Sequence, residues 1–137
     1  MIVKASALRM VIGFVLVVSP VYVFSQKAFE YEYYTGKTKD MTIKLSLADG
    51  YIAASEIRTV AFKNKKVSRF LTETGYEQAD RKMKFYHYSA AKKEFPDYFI
   101  IENIRDTYEQ IPKEMRGKYY FKNEVIPFTL KISASHH

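Results

Sequence analysis

The chain has 137 residues, of which 22 are Lys or Arg and 15 are Asp or Glu, and its formal net charge is +7. It contains no cysteine, which excludes a disulfide framework, a lipid-modified cysteine anchor and a Cys-His catalytic pair. Its five glycines lie far apart, at positions 13, 36, 50, 75 and 117, so there is no Gly-rich loop to hold a phosphate group. We therefore expect neither a cofactor nor a bound metal.

The first 25 residues have the order of a secretory signal peptide. Lys4 and Arg9 provide a positive start, residues 11–18 (VIGFVLVV) are apolar, and Ser25 is small enough to precede a cleavage site. The alternative is an uncleaved membrane anchor, but the apolar stretch, residues 10–24, is shorter than the roughly 20 residues of a membrane-spanning helix. We expect this segment to be removed and the protein to be exported, to the periplasm or out of the cell.

Cleavage after Ser25 leaves residues 26–137, which form one domain with room for a single hydrophobic core. The removed segment takes two basic residues with it, so 20 basic and 15 acidic residues remain and the net charge becomes +5. A mildly basic exported protein suits a negatively charged envelope, polysaccharide or membrane surface, although the more ordinary explanation of such a charge is that it keeps the protein soluble. Within these residues we expect no membrane-spanning segment.

The pattern of residues 41–57 predicts two strands folded back on each other. Ile43, Leu45 and Leu47 alternate with polar residues, as in a half-buried strand. Asp49-Gly50 then favours a tight hairpin, because Gly accepts the positive φ of the turn. In the register of such a hairpin, the opposed pairs would be Leu47 with Tyr51, Leu45 with Ala53 and Ile43 with Ser55.

The strand after Gly50 changes its apolar parity. Its apolar residues occupy odd positions as far as Ile57, but Val60 and Phe62 are at even positions. A β-bulge near Arg58-Thr59 would restore the alternation and bend the strand. Strong bending is what a sheet needs in order to close on itself.

Further strands are predicted on both sides of this hairpin. A first strand covers residues 27–34 and is followed by a polar turn at residues 35–40. Met83, Phe85 and His87 share one face of a strand at residues 81–88, with Tyr86 and Tyr88 on the other face. The remaining predicted elements are strands at 67–73 and 97–104, one helical turn from Pro112 stopped by Gly117, and a closing hairpin of residues 118–121 and 125–133.

The last predicted strand has one apolar face and a proline on the other. Ile126, Phe128, Leu130 and Ile132 share a parity, whereas Pro127 lies on the opposite one. Proline has no N–H to donate to a neighbouring strand, so we expect Pro127 on an edge strand or at a bulge.

The sum of these elements is an all-β domain of about eight short strands in sequential hairpins. The predicted fold is a small up-and-down antiparallel barrel or a strongly rolled meander, preceded by the signal peptide. The export signal, the opening YEYY strand, and the ending GKYYF followed by IPFTLK resemble small secreted bacterial β-domains of unknown function, many of them lipocalin-like. The chain has no Trp and therefore lacks the Gly-X-Trp element of lipocalins, and no functional residue is inferred from the resemblance.

Two groups of residues are candidates for catalysis. His87 is the only histidine outside the terminal His136-His137 pair, so a Ser-His-Asp triad would have to use it. A histidine on the face of Met83 is more often a core residue hydrogen-bonded to a neighbour. Glu30 and Glu32 lie about 6.6 Å apart along a strand, near the separation used by glycoside hydrolases, although such pairs are also common on solvated strand faces.

The most suggestive feature is aromatic, because the chain contains 12 Tyr and 10 Phe. Tyrosine has an apolar face and a polar tip, which suits carbohydrate, lipid headgroups and protein surfaces. Tyrosine is also favoured in strands, so simple half-buried packing is the more ordinary explanation of these residues. The residues that we predict to bind a ligand are Tyr31, Tyr33, Tyr86, His87, Tyr88 and Tyr119.

Three functional hypotheses follow. The preferred one is an exported, non-enzymatic β-domain that binds a small apolar molecule, a glycan or an envelope protein through its barrel mouth or a tyrosine-rich face. The alternatives are a hydrolase of envelope metabolism that uses His87 or an acidic pair, and an open half-barrel lipid carrier. Nucleic acid is not an expected partner of an exported protein. A cavity lined by apolar residues would favour binding, whereas His87 beside a carboxylate in a cleft would favour catalysis.

Overall fold

Eight antiparallel strands form a closed up-and-down barrel, which confirms the first of the two predicted architectures. The computed structural model describes residues 29–73 and 80–133, so the predicted signal peptide, the polar link at 74–79 and the terminal histidines lie outside the described residues. Each strand pairs with its neighbours in sequence, and the last strand closes against the first. The strands are β1 (Glu30–Lys37), β2 (Met41–Asp49), β3 (Glu56–Ala61), β4 (Val67–Thr72), β5 (Met83–His87), β6 (Tyr98–Ile101), β7 (Glu114–Phe121) and β8 (Glu124–Ile132).

Closure of the barrel depends on a short pairing between β1 and β8. Tyr34 pairs with Ile132, and Thr35 pairs with Lys131. The half of β8 nearer its start pairs only with β7, and Pro127 lies in that half, opposite Lys118. Because a proline has no N–H for a second neighbour, its position fits the predicted edge-like environment. The closed circuit does not fit the open half-barrel of a lipid carrier.

The barrel interior is filled by the side chains of alternate residues, as expected for eight strands. Ile43, Leu45 and Leu47 point inward and are fully buried, which confirms the inward face predicted for β2. Met83 and Phe85 are buried on β5, with His87 on the same face, as predicted. The other members of this core are Tyr34, Ile52, Ile57, Phe70, Phe99, Ile101, Ile104, Met115, Phe128 and Leu130.

The two ends of the barrel differ. We call the end formed by residues 38–40, 62–66, 88–97 and 122–123 the mouth, and the opposite end the closed end. At the closed end, the connection between β6 and β7 lies across the core. Tyr34 donates a hydrogen bond to the Pro112 carbonyl at 2.6 Å, and the Gly50 amide donates to the Asp106 carbonyl at 2.9 Å. Burial of Ile104 completes this cover.

No helix among the described residues is long and apolar enough to cross a membrane.

The tight hairpin predicted at Asp49-Gly50 is wrong. A six-residue connection, which includes a short 3-10 helix at Ile52–Ala54, separates β2 from β3. Leu45 therefore faces Ile57 rather than Ala53. The wide connection allows Ile52 to cover the core at the closed end, which a tight turn would not permit. Gly50 does have the predicted positive φ, at 98°.

The bulge predicted near Arg58-Thr59 is also wrong, because the pairing of β3 with both neighbours runs without interruption. Its inward residues stay on odd positions, with Ile57 and Thr59 buried. Val60 and Phe62 point outward, and Phe62 is an exposed residue of the mouth. The parity change in the sequence therefore reflects apolar residues on the outer surface, not a change in the strand.

The predicted helical turn from Pro112 to Gly117 is replaced by the start of β7 at Glu114. Gly117 pairs with Ile101 on one side and Phe128 on the other. A Cβ atom there would lie 2.7 Å from Ile101 Cδ1 and 2.8 Å from Phe128 Cζ, so the glycine permits close packing of three strands. It does not terminate a helix.

The first strand is shifted relative to its prediction. Residues 35–37, expected in a turn, continue β1 and pair with β2, and Gly36 lies opposite Ile43. Residues 27 and 28 of the predicted strand lie outside the described residues.

Candidate functional site

Three polar side chains meet inside the mouth of the barrel. His87 Nδ1 lies 2.8 Å from Asp97 Oδ1, and the Tyr119 hydroxyl donates to Asp97 Oδ2 at 2.6 Å. Asp97 is only 7% exposed, so its carboxylate is largely removed from water. Both of its oxygens are hydrogen-bonded, which is the condition for keeping a carboxylate in such an environment.

Strand register brings these residues together. His87 is the last residue of β5, and Asp97 immediately precedes β6. Tyr86 pairs with Tyr98 at the end of the ladder between these strands, so the next residues on each side, His87 and Asp97, lie opposite each other. Tyr119 lies on β7 opposite Phe99, two residues along β6 from Asp97. All three side chains therefore lie on the inward parity of adjacent strands, and the ten-residue connection 88–97 spans the gap above them.

Aromatic rings surround the imidazole of His87. The Phe95 ring stacks on it with centroids 4.1 Å apart and planes at 18°, and the Phe70 ring lies at 4.5 Å. Phe70 comes from the neighbouring strand, where it is paired with His87, and Phe95 comes from the mouth connection. These contacts hold the imidazole plane in place, so its free nitrogen has a defined direction.

Hydrogen-bonding chemistry assigns the proton of His87. An ionised carboxylate only accepts hydrogen bonds, so the nitrogen facing Asp97 must carry a proton. In neutral His87 this leaves Nε2 as an acceptor, and in the protonated form Nε2 becomes a second donor. The hydrogen bond to Asp97 therefore orients the ring and leaves Nε2 as the nitrogen that can contact a ligand.

The phenol of Tyr119 is held in its neutral form. Burial raises its pKa most, and the hydrogen bond to Asp97 and the charge of that carboxylate raise it further. Tyr119 therefore acts as a hydrogen-bond donor to Asp97 throughout the ordinary pH range.

A pocket of about 210 Å³ opens next to this cluster. Its wall combines apolar atoms of Met41, Ala61 and Phe70 with the hydroxyls of Thr59 and Ser68. Lys66 and Asn64 come from the turn between β3 and β4. Lys66 offers only donors, whereas the hydroxyls of Thr59 and Ser68 can either donate or accept, so an acceptor-rich ligand can be satisfied here. The volume is below the 300–1,000 Å³ typical of ligand sites, so an occupant must be small.

Of the six residues predicted to bind a ligand, the structure brings two together. His87 and Tyr119 share the bond network of Asp97. Tyr86 and Tyr88 lie on the outer side of the barrel, where Arg69 stacks on Tyr88 with its guanidinium carbon 5.4 Å from the ring centroid. They do not line the pocket.

Tyr31 and Tyr33 are elsewhere, on the outer face of β1. Their rings stack with centroids 6.2 Å apart, and Phe29 contacts Tyr31 edge-on. The acidic pair considered for glycoside hydrolysis, Glu30 and Glu32, begins the same strand near the closed end. Neither group is brought near His87, so no single tyrosine-rich face unites the predicted residues.

Sequence reasoning missed Asp97, Phe95 and Lys66. Asp97 shares its parity with Phe99 and Ile101, so a polar residue at an inward position was visible in the sequence. The inward side of this strand could not be recognised, however, because residues 97–104 have apolar side chains at both odd and even positions. The partner of His87 depends on the register of β5 and β6 across a ten-residue connection, and sequence spacing alone does not determine that register.

Among residues 29–73 and 80–133, no group of three or more His, Cys, Asp or Glu side chains is arranged to hold a metal ion. No protein-family model matches the chain, and no curated protein or solved structure matches it either.

Proposed function

We propose that this protein binds a small molecule in the pocket at the barrel mouth. The observation that supports this most directly is the cluster of His87, Asp97 and Tyr119 at the edge of a cavity with a partly apolar wall. Binding sites commonly combine an apolar wall with a few polar groups of fixed orientation. Here hydrogen bonds to Asp97 orient His87 and Tyr119, and two aromatic rings pack against His87. Of the three ligand classes considered from the sequence, a small apolar molecule, a glycan and an envelope protein, the proposal keeps only a small molecule.

The chemistry of the pocket defines the ligand further. Lys66 is cationic, His87 gains a second donor when protonated, and Thr59 and Ser68 provide hydroxyls. Met41 and Phe70 form the apolar part. A small molecule with a short apolar body and an acceptor-rich or anionic end matches this arrangement.

Titration of the full chain with benzoate, with benzamide as the uncharged analogue, tests the proposal. We expect amide chemical-shift changes at Ser68 and His87 to saturate with benzoate and to be weaker with benzamide. Ser68→Leu fills the pocket and should abolish these changes. Ser46→Leu, on the outer face of β2, is the matched control and should preserve them. Changes spread over the surface, or unaffected by Ser68→Leu, would reject the pocket as the site.

A second function, general acid–base catalysis, is supported by one specific observation. His87 is oriented by a carboxylate in a cleft, which is the arrangement that supports proton transfer. Hydrolysis of p-nitrophenyl acetate provides a simple test. If His87 is the base, His87→Gln lowers the rate above buffer to background, while His136→Gln leaves it unchanged. Equal rates for wild type and His87→Gln would dismiss catalysis.

Export remains part of the proposal and is supported by the pattern of residues 1–25. N-terminal sequencing of protein from the producing cell should find a chain that begins near Gln26. Recovery of chains that begin at Met1 in the membrane fraction would show instead that the segment is retained.

A further inference from the structure

The mouth of the barrel carries an excess of positive charge. Its four connections contain seven lysines, all exposed, and three acidic residues. The described parts of the closed-end connections contain four basic and five acidic residues, so the charge is concentrated at one end. None of the ion pairs found among the described residues includes one of these lysines. The seven are Lys39, Lys63, Lys65, Lys66, Lys92, Lys93 and Lys122.

Apolar side chains are exposed at the same end. Ten large apolar residues are exposed among the described residues, and seven of them lie in the mouth connections or within two residues of them. Tyr86 belongs to the outer wall of β5, and six remain when it is set aside. Their exposed fractions range from 36% for Tyr88 to 55% for Val67. We call the seven lysines and these six residues the mouth rim. The six are Phe62, Val67, Tyr88, Phe95, Phe121 and Val125.

Single exposed apolar residues are ordinary on protein surfaces. Here they are interleaved with lysines that form no ion pair with any residue of 29–73 or 80–133, and Lys122 Nζ lies 5.2 Å from the centroid of the Phe121 ring. Aromatic and aliphatic side chains flanked by lysines are typical of surfaces that bind the interface of a bilayer, where rings enter the headgroup layer and ammonium groups contact lipid phosphates.

We propose that the mouth rim docks onto a membrane surface rich in anionic phospholipids. The charge of the seven lysines selects an anionic partner, and the exposed valines distinguish a bilayer from a soluble polyanion. Val67 and Val125 have no charge or ring with which to contact a polysaccharide or a nucleic acid, but they are suited to the lipid interface. This docking goes beyond ligand binding in the pocket and does not depend on it.

Vesicle binding at two salt concentrations tests the proposal. We expect the full chain to co-sediment with phosphatidylcholine vesicles that contain phosphatidylglycerol, and to bind pure phosphatidylcholine much more weakly. A lysine near an anionic surface changes partitioning about fivefold, so Lys63→Gln with Lys65→Gln should weaken binding about 25-fold. Lys82→Gln with Lys113→Gln, at the closed end, is the charge-matched control and should leave binding nearly unchanged.

The apolar part of the rim has its own variant. Phe62→Ser with Phe121→Ser should remove the fraction of binding that survives at about 0.5 M salt, where charges are screened within a few ångströms. Tyr51→Ser, an exposed aromatic at the closed end, should not. If the Phe variants bind like wild type at both salt concentrations, and heparin is bound as tightly as the vesicles, the surface is a general polyanion site and the membrane proposal is wrong.

The orientation of the barrel on the vesicle gives a second test. The apolar N-terminal segment could itself bind vesicles, but it would not by that binding place the mouth against the bilayer. The chain has no cysteine, so Asn123→Cys at the mouth and Ala53→Cys at the closed end each give one labelling site. A fluorophore at position 123 should be quenched by spin-labelled lipids in anionic vesicles, and one at position 53 should not. Quenching at position 53 alone would show that the closed end faces the bilayer, and quenching at neither would show that the barrel does not dock.

Discussion

His87 Nδ1 and Asp97 Oδ1 lie 2.8 Å apart, although the ten-residue mouth connection lies between their strands. The same carboxylate accepts a hydrogen bond from Tyr119, so one acidic group ties β5, β6 and β7 together at the mouth. This arrangement makes Asp97 the residue on which both the geometry of the pocket and part of the barrel's stability depend.

Replacement of Asp97 by Asn should therefore destabilise the fold. An amide has one acceptor oxygen and no charge, so His87 or Tyr119 must turn from donor to acceptor towards its NH2 group, and the charge-assisted hydrogen bonds are lost. We expect a loss of about 1–3 kcal/mol in the free energy of unfolding, measured by urea denaturation. Glu124→Gln, an exposed acid at the start of β8, should change it by no more than about 0.5 kcal/mol. Similar values for the two variants would argue against the network.

The protonation of His87 is a second testable consequence. Because Asp97 accepts a hydrogen bond from Nδ1, neutral His87 should carry its proton on Nδ1 and not on Nε2. Nitrogen-15 NMR distinguishes the two tautomers, and the chain contains only three histidines, which simplifies assignment. If the nitrogen-15 shifts of His87 showed a mixture of both tautomers, as for a histidine without a fixed partner, the result would contradict this geometry.

Tyr34, which is buried, and Tyr119, which is half-buried, predict how stability depends on alkaline pH. Burial is the main cause of the raised pKa of both Tyr34 and Tyr119. Tyrosines of the unfolded chain ionise near pH 10, so above about pH 10 the unfolded state binds fewer protons than the folded state. The stabilisation from these groups is complete below that pH and is lost as the pH rises further.

We expect the urea midpoint to fall as the pH rises from about 10 to about 11, and to fall less steeply in Tyr119→Phe. The matched control is Tyr86→Phe on the outer surface, which should show the wild-type slope. Absorbance at 295 nm should show tyrosinate signals from Tyr34 and Tyr119 only on unfolding. A wild-type slope in Tyr119→Phe would mean that its phenol ionises normally.

The inward face of β2 can be tested by neighbouring substitutions. Leu45 is fully buried and Lys44 is exposed on the outer surface. Leu45→Ala should cost about 2–5 kcal/mol because it leaves a cavity in the core. Lys44→Ala should change stability by no more than about 0.5 kcal/mol. Urea denaturation measures both, and equal losses would mean that the inward face is misassigned.

Gly117 should tolerate no side chain without a cost. A Cβ atom would approach the carbonyl oxygen of Ile100 to 2.9 Å, in addition to its contacts with two core side chains. Gly117→Ala should therefore destabilise the barrel by about 1–3 kcal/mol, even though alanine is otherwise a mild substitution. Lys118→Ala, the next residue along β7 and exposed, should be close to neutral in the same urea experiment. A neutral Gly117→Ala would show that β6 and β8 can move apart there.

The sequence by itself determined the fold class and much of the interior. Alternation with a period of two identified the inward residues of β2 and β5, because a half-buried strand exposes every second side chain to water. The count of strands and their short connections then predicted an up-and-down barrel. In β7 the inward position 117 is a glycine, so the alternation of apolar and polar residues is interrupted there. For this reason the sequence predicts a helical turn where the structure has a strand.

Only the tertiary structure decided which polar residues meet. Asp49-Gly50 carries a strong local turn signal, yet Ile52 is buried at the closed end, and that burial favours a wider connection. Likewise, His87 and Asp97 are ten residues apart, and nothing in that spacing makes them neighbours. Register between strands is set by packing of the whole core and by the closure of β8 on β1, so contacts that depend on register can be read only from the assembled barrel.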